Sequence, residues 1–339
     1  MNICLFREDE IGKPLSLRDE RARHILKILH KKEGDCFHAG IIEGFEGEAK
    51  ITKIENFSRK SADGKKEFDD GKMYFTFEAK NSGKPLYPLK MIIGFPRPIQ
   101  LKRLLRDMAG LGVCEIHLAG SDLGEKSYLC SDLADENELH KLLLEGTVQA
   151  GGTYVPKVFL HKSLDECFAD LGIFCDGDEE FEVNDGDLLA SRESSVGAGD
   201  FLVNGDSSVG GEDFCANGES SVGAENSLAN GASSASGENS LTNGASSVSG
   251  ETKYFALDNV NPKSSLLKEL NFLQSNSNGA PCLKSAFAAI GSERGWSERE
   301  RKLLETCGFV RCGMGNRVLR TETAATVAAT LILAKMNFL

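Results

Sequence analysis

From Met1 to Pro88 the apolar residues come in short runs at alternating positions. Ile3 to Phe6, Asp35 to Ala39 and Gly47 to Ile54 have strand character, and Met73 to Ala79 sets Met73, Phe75, Phe77 and Ala79 against Tyr74, Thr76 and Glu78. A period of two puts one face of a strand on a core and the other in solvent. Glycines at 34, 40, 44 and 47 punctuate these runs, and one helical stretch interrupts them with Ala22, Ile25, Leu26 and Leu29 on one side. The pattern predicts a small β-barrel over residues 1–88.

After residue 88 the period changes. Leu89 to Phe95 is a continuous apolar run closed by Pro96 and Pro98, and Leu101, Leu104, Leu105 and Met108 then recur at i, i+3, i+4 and i+7, leaving Lys102, Arg103 and Arg106 outward. That spacing predicts an amphipathic helix. Gly112 ends it, and Val113 to Leu118 is the next strand. Tyr254 to Leu257, Ala286 to Ile290 and Phe309 to Cys312 continue the series, with a helix over Ser297 to Cys307 and a last one beginning at Thr321, which is placed to cap it. Alternation of strand and helix predicts a parallel sheet covered on both faces, over 89–175 and 251–339, with ligands beyond the carboxyl ends of its strands.

Between these halves lies a segment of another texture. Ser-Ser pairs at 194, 207, 220, 233 and 246 repeat with a period of 13, and Asn-Gly recurs in step at 204, 217, 230 and 243. Too few large apolar residues are present to build a core. We read 176–250 as an acidic low-complexity insertion, with a partner-binding tail as the alternative. Its location matters for charge. It holds fifteen Asp and Glu against Arg192 alone, so the overall net charge of −12 conceals a remainder of about +2. Two runs in that remainder are distinctly basic: Arg18, Arg21, Arg23, Lys27, Lys31 and Lys32, and Lys90, Arg97, Lys102, Arg103 and Arg106. Clustered cations of this kind bind phosphates, or else form a solvated helix face.

Several classes are excluded. The ten cysteines form no CxxC pair and no Cys/His group at zinc spacing, so reduced thiols and no metal are expected. MNICLFREDE turns acidic at once, unlike a secretory leader, and Ala324 to Ala334 is too short to span a bilayer, so a soluble cytoplasmic protein is expected. All six histidines lie at or before His161, and no GxSxG elbow or Walker lysine appears. Two glycine-rich turns remain, GSERGWS at 291–297 and GMGNRVLRTE at 313–322. The second lacks the third glycine of a dinucleotide fingerprint. Both place small residues where backbone must approach a ligand closely, and the second leads into a helix whose first-turn Glu322 complements the dipole.

GFPRPIQLKRLLRDMAGLGVCEIHL at 94–118, EKSY at 125–128, EGTVQAGGTYVPKVFLH at 145–161, GSERGWSERE at 291–300 and MGNRVLRTETA at 314–324 carry a resemblance. The chain resembles the RsmE methyltransferases of the SPOUT class over both halves, excluding 176–250. The resemblance implies an α/β protein with an amino-terminal PUA-like β-barrel and a carboxyl-terminal SPOUT domain tied in a trefoil knot. It implies a homodimer that uses S-adenosyl-L-methionine to methylate N3 of one uridine in 16S rRNA of the small ribosomal subunit. Carried over, Ile290, Gly291, Glu293, Gly295, Met314, Gly315, Val318 and Leu319 would hold the cofactor, with Arg320 and Glu322 as catalytic groups at its mouth.

The residues expected to face RNA are Arg18, Arg21, Arg23, His24, Lys27, Arg97, Lys102, Lys126 and Arg317. For Arg320 the alternative is a salt bridge to Glu322 or Glu293, and for Glu322 a first-turn helix carboxylate. Trp296 either stacks on a base or packs under the following helix. Ser292 and Arg294 depart from the Gly-Pro-Glu-Gly-Gly loop usual in the family, and an Arg usual after Gln149 is missing. A catalytically silent SPOUT-fold RNA-binding protein is therefore the second reading.

Overall fold

In the computed structural model, residues 2–60, 66–125, 128, 135–174, 251–275 and 283–339 are described; Lys126 and the 176–250 insertion lie outside them. The amino-terminal elements are β1 (Cys4–Phe6), β2 (Leu15–Ser16), α1 (Glu20–Arg23), β3 (Cys36–Ile41), β4 (Phe45–Lys60) and β5 (Lys66–Ser82). They form one curled five-stranded sheet in the order β1-β3-β4-β5-β2. The period-two pattern does what it predicts: Phe37, Ala39, Ala49, Ile51, Met73 and Phe75 are buried with Phe6, Ala22 and Ile25. The helical stretch divides in two. Asp19 caps α1 by accepting the Arg21 amide, and His24–Ile28 then widens into a π-turn in which Leu29 N–H donates to the His24 carbonyl.

A second sheet carries β6 (Tyr87–Gly94), β7 (Val113–Ala119), β8 (Lys157–His161), β9 (Glu251–Leu257), β10 (Ser264–Ser265), β11 (Leu283–Ile290) and β12 (Val310–Gly313). Its order is β10-β12-β9-β11-β6-β7-β8, every pairing parallel. Its helices are α2 (Pro98–Leu111), α3 (Glu136–Ala150), α4 (Leu164–Leu171), α5 (Leu266–Ser275), α6 (Glu298–Thr306) and α7 (Thr321–Lys335). The strands read as unbroken apolar runs because both faces are covered. Leu89, Met91 and Ile93 face the core made with α2, α3, α5 and α7, whereas Ile92 faces the one made with α4 and α6. Leu101, Leu104, Leu105 and Met108 are buried as their spacing requires.

The two sheets belong to one compact unit, and side chains stitch them together. Thr153 Oγ1 donates to the Gly44 carbonyl at 2.8 Å, and Glu43 Oε1 accepts the Val155 amide at 2.9 Å. No described helix is long and apolar enough to cross a membrane. The expectation of reduced thiols needs one correction. Cys4, Cys36, Cys114, Cys167 and Cys312 are free, but Cys307 is disulfide-bonded.

Candidate functional site

Beyond the carboxyl ends of β9, β11 and β12 the loops 258–260, 291–295 and 314–319 and the start of α7 enclose a cleft of about 220 Å³. Leu257, Ile290, Met314, Val318 and Leu319 give it apolar walls, and Gly291, Ser292 and Gly295 line it between them. That turn is tight because two glycines touch. A Cβ on Gly291 would lie 2.7 Å from the Gly295 carbonyl carbon, and Gly295 N–H closes the turn on the Ser292 carbonyl at 2.9 Å with φ of +74°. From beneath, a Cβ on Gly94 at the end of β6 would lie 2.4 Å from the Ser292 amide nitrogen. No side chain but hydrogen fits at either place.

The loop is also held at its ends. Glu293 Oε1 accepts the Arg97 backbone N–H at 2.7 Å, which ties the loop to the entry of α2. Ser297 and Glu300 form a capping box at the start of α6, and fully buried Glu300 also accepts the Asp122 amide at 2.9 Å. Arg299 bridges Asp122 and Asp165, each at 2.9 Å, and with Ser297 it holds the Asp122 carboxyl below the usual carboxylate range. Trp296 is wholly buried among Leu304, Phe309 and Phe168, so it packs under α6 and does not stack on a base.

Across the cleft, Asn259 braces the second glycine turn: its amide donates to the Arg317 carbonyl at 3.3 Å and its Oδ1 accepts the Met314 amide at 3.5 Å. Gly315 is exposed with φ of +106°. Asp258, which lines the cleft and is nearly buried, is fixed by Arg301 at 2.6 Å and Arg311 at 3.4 Å. Gly94, Asp258 and Asn259 were not anticipated from the sequence. Asp258 and Asn259 directly follow an apolar run, which is the one signal that could have found them.

At the start of α7 the expected cap fails. Arg320 is the N-cap residue and no side chain caps the first turn; Thr321 Oγ1 instead points to the Gly291 carbonyl at 3.5 Å. Thr321 thus joins the two glycine turns. Arg320 is exposed and forms none of the ion pairs found among the described residues, so the salt-bridge alternative is not adopted. Glu322 is buried, its Oε2 has no hydrogen-bond partner, and it lies outside the cleft lining. Its place in the first turn matches the helix-carboxylate alternative.

Among the expected RNA contacts, Arg18, Arg23, Lys27, Arg97, Lys102 and Arg317 are exposed, and Arg23, His24 and Lys27 line one shallow depression. Arg21 is the exception. Its guanidinium donates to Glu10, Asp19 and the Leu5 carbonyl at 2.8–3.0 Å, and is committed inside the amino-terminal fold instead of being offered to a phosphate.

Comparison with known proteins agrees with this geometry. Residues 82–183 and 245–333 match the model of an RNA methyltransferase domain. The ribosomal RNA small subunit methyltransferase E of Treponema pallidum is 31% identical over 342 aligned positions, covering 99% of this chain and 92% of that protein. The chain belongs to this family. The ribosomal RNA small subunit methyltransferase E 1 of Borreliella burgdorferi is 36% identical over 166 residues, 49% of this chain and 64% of that protein. In fold, the chain is similar to the methyltransferase E of Neisseria gonorrhoeae crystallised with S-adenosyl methionine, with a TM-score of 0.54 and 14% identity over 98% of this chain and 97% of that one.

Proposed function

We propose that the chain transfers the methyl group of S-adenosyl-L-methionine to N3 of one uridine in 16S rRNA of the small ribosomal subunit. The observation that carries this reading is the cleft itself, with apolar walls and a glycine turn between them at the carboxyl ends of three parallel strands. A nucleoside fits such a place: its ring edge hydrogen-bonds to amides and carbonyls while Leu257, Ile290, Met314 and Leu319 cover its faces. Bound there, the cofactor supplies an electrophilic methyl group on a sulfonium, so the protein needs no nucleophile of its own. Ile290, Gly291, Gly295, Met314, Gly315, Val318 and Leu319 hold it, and Glu293 keeps their loop seated on α2.

Uridine N3 becomes a nucleophile only when its proton passes to solvent water, and the uridinate then takes the methyl group as the cofactor's sulfonium becomes a neutral thioether. Arg320, exposed, without an ion pair among the described residues and next to the cleft-lining Leu319, stabilises the negative charge that then spreads onto the base oxygens. Arg317 and the exposed cations of α1, its π-turn and α2 hold phosphates, with the target base turned out of its stack. Glu322 serves the first turn of α7. Ser292 and Arg294, which stand where the family loop usually has proline and glycine, both line the cleft and would border the bound cofactor.

Residues 1–88 form a PUA-like RNA-binding domain, supported by the curled sheet and its basic helix. Residues 89–175 and 251–339 form a SPOUT domain whose loops thread a trefoil knot, a reading supported by the order β12-β9-β11-β6 around the cleft. Two copies pair in the cytoplasm, covering apolar side chains such as Ile99, which is 80% exposed in one chain.

The test is transfer of labelled methyl from S-adenosylmethionine to unmethylated small subunits or free 16S rRNA, followed by mass mapping of nuclease fragments. One N3-methyluridine is expected. Calorimetry with the cofactor alone separates the second reading: a chain that binds RNA but gives neither heat nor methyl transfer is the silent relative, its cleft closed by Arg294.

A further inference from the structure

Two buried histidines at the far edge of the parallel sheet face each other, each backed by a carboxylate. His117 on β7 and His161 at the end of β8 are 3% and 4% exposed, and His117 Nδ1 stands 3.0 Å from His161 Nε2. The outer nitrogen of each ring meets a carboxylate: His117 Nε2 is 3.3 Å from Glu115 Oε2, and His161 Nδ1 is 3.0 Å from Asp170 Oδ2. Lys90 Nζ, 2.8 Å from Glu115, keeps that carboxylate an acceptor. A neutral imidazole has one N–H and one lone pair. When both N–H groups turn out to the carboxylates, two lone pairs confront each other at 3.0 Å. When either ring turns its N–H inward, its outer lone pair confronts a carboxylate instead. Every neutral tautomer of the pair therefore keeps at least one repulsive contact, which a cation shared between the inner nitrogens, a proton or a metal ion, removes.

A third ligand completes the group. Cys167 on α4 is wholly buried with a free thiol, and its Sγ and one ring nitrogen of each histidine all lie within 4.8 Å of one another. We propose that His117, His161 and Cys167 bind one divalent ion of the zinc class, with Glu115 and Asp170 as the carboxylates that orient the two rings. Zinc bonds of ~2.0–2.1 Å to nitrogen and ~2.3 Å to sulfur set tetrahedral ligands roughly 3.4–3.6 Å apart. The nitrogens already stand within a few tenths of that distance, and Cys167, whose Sγ lies within 4.8 Å, must close by up to roughly 1.2 Å. Imidazole with thiolate selects zinc over magnesium or calcium, and carboxylates behind both rings are what zinc-ligating histidines normally have. Phe159 stacks on His117 at 4.9 Å and fixes the ring plane. On binding, the Cys167 proton passes to solvent, and water takes the fourth position.

The site is separate from the methyl-transfer cleft. Strand β8 is the edge strand, whereas the cleft is built at β9, β11 and β12. The ion would join β7, β8 and α4 just before the chain enters the acidic repeats, so its role is to anchor that corner of the fold. Spacing along the sequence hides it, because the ligands come from three elements 44 and 6 residues apart.

The experiment uses the full chain, purified without a histidine tag, with metal content measured by plasma mass spectrometry and cobalt substitution followed by absorption. About one zinc per chain is expected. The cobalt form should show a thiolate-to-metal charge-transfer band and the strong d–d absorption of four-coordination. Cys167→Ser should abolish the charge-transfer band, while Cys36→Ser, at an exposed free thiol, should leave it intact. A full chain that holds no zinc and develops no cobalt band on titration would overturn the proposal, as would a band that survives Cys167→Ser. If Cys167→Ser does not fold, Asp170→Asn on the exposed side of the site is decisive. It should weaken metal affinity roughly 10–100-fold, and unchanged affinity refutes the assignment.

Discussion

Glu293 and Arg97 stand 196 residues apart in sequence, and the carboxylate of one accepts the backbone N–H of the other at 2.7 Å. This bond decides where the first glycine turn sits relative to α2. A charged acceptor on a backbone amide is worth more than a neutral pair, ~1.5–3 kcal/mol before exposure weakens it. We expect Glu293→Ala to weaken S-adenosylmethionine binding about tenfold by calorimetry, while Glu293→Gln, which keeps an acceptor, costs about half of that free energy.

Arg320 should separate binding from chemistry. It is exposed, lies between the cleft-lining residues Leu319 and Thr321, and forms no ion pair among the described residues. Loss of one group that stabilises developing negative charge slows catalysis ~10²–10³-fold. Arg320→Ala is expected to lower kcat by about that factor in single-turnover methylation, with cofactor affinity changed no more than about threefold. Equal loss in both quantities would make it a binding residue.

Gly291→Ala tests the contact between the two glycines. The added methyl group meets Gly295 backbone at 2.7–2.8 Å, where nothing flexible can yield. The turn must open, and overpacking of this kind costs ~1–3 kcal/mol. The thermal midpoint should fall by a few degrees. Cofactor binding should be lost altogether, since the turn that lines the cleft is the part that moves.

The amino-terminal ion network predicts a pH dependence. Hydrogen bonding to Arg21 is the main cause that lowers the Glu10 carboxyl from 4.5 to about 2. A depressed folded-state value means that Glu10 stabilises the fold above its unfolded value and loses that contribution as pH falls through the folded one. Arg21→Met should therefore be less stable than the parent near neutrality, with the gap closing between pH 4.5 and about pH 2 in urea unfolding at successive pH values. A gap that stays constant over that window would show that the network does not titrate as described. RNA affinity should respond less to this substitution than to Arg23→Ala, because Arg21 faces inward.

What the sequence determined by itself is local and periodic. Alternation along Met73 to Ala79 and the i, i+3, i+4, i+7 series from Leu101 to Met108 are properties of single elements, set by which face must leave water, and both faces are buried as their spacing demands. The glycine turns at 291–297 and 313–322 were legible for the same reason, since glycine announces close backbone approach wherever it stands. Tertiary structure decided what depends on partners distant in the chain. Arg21 belongs to Glu10 because α1 and the 3-10 turn at Glu8–Glu10 pack together, Trp296 goes inward because α6 covers it, and Glu322 is buried in the first turn of α7. His117, His161 and Cys167 meet only because β7, β8 and α4 pack against one another. Periodicity fixes the face a residue presents, but Coulomb and hydrogen-bond energies act over a few ångströms, so the identity of its partner waits for the fold to close.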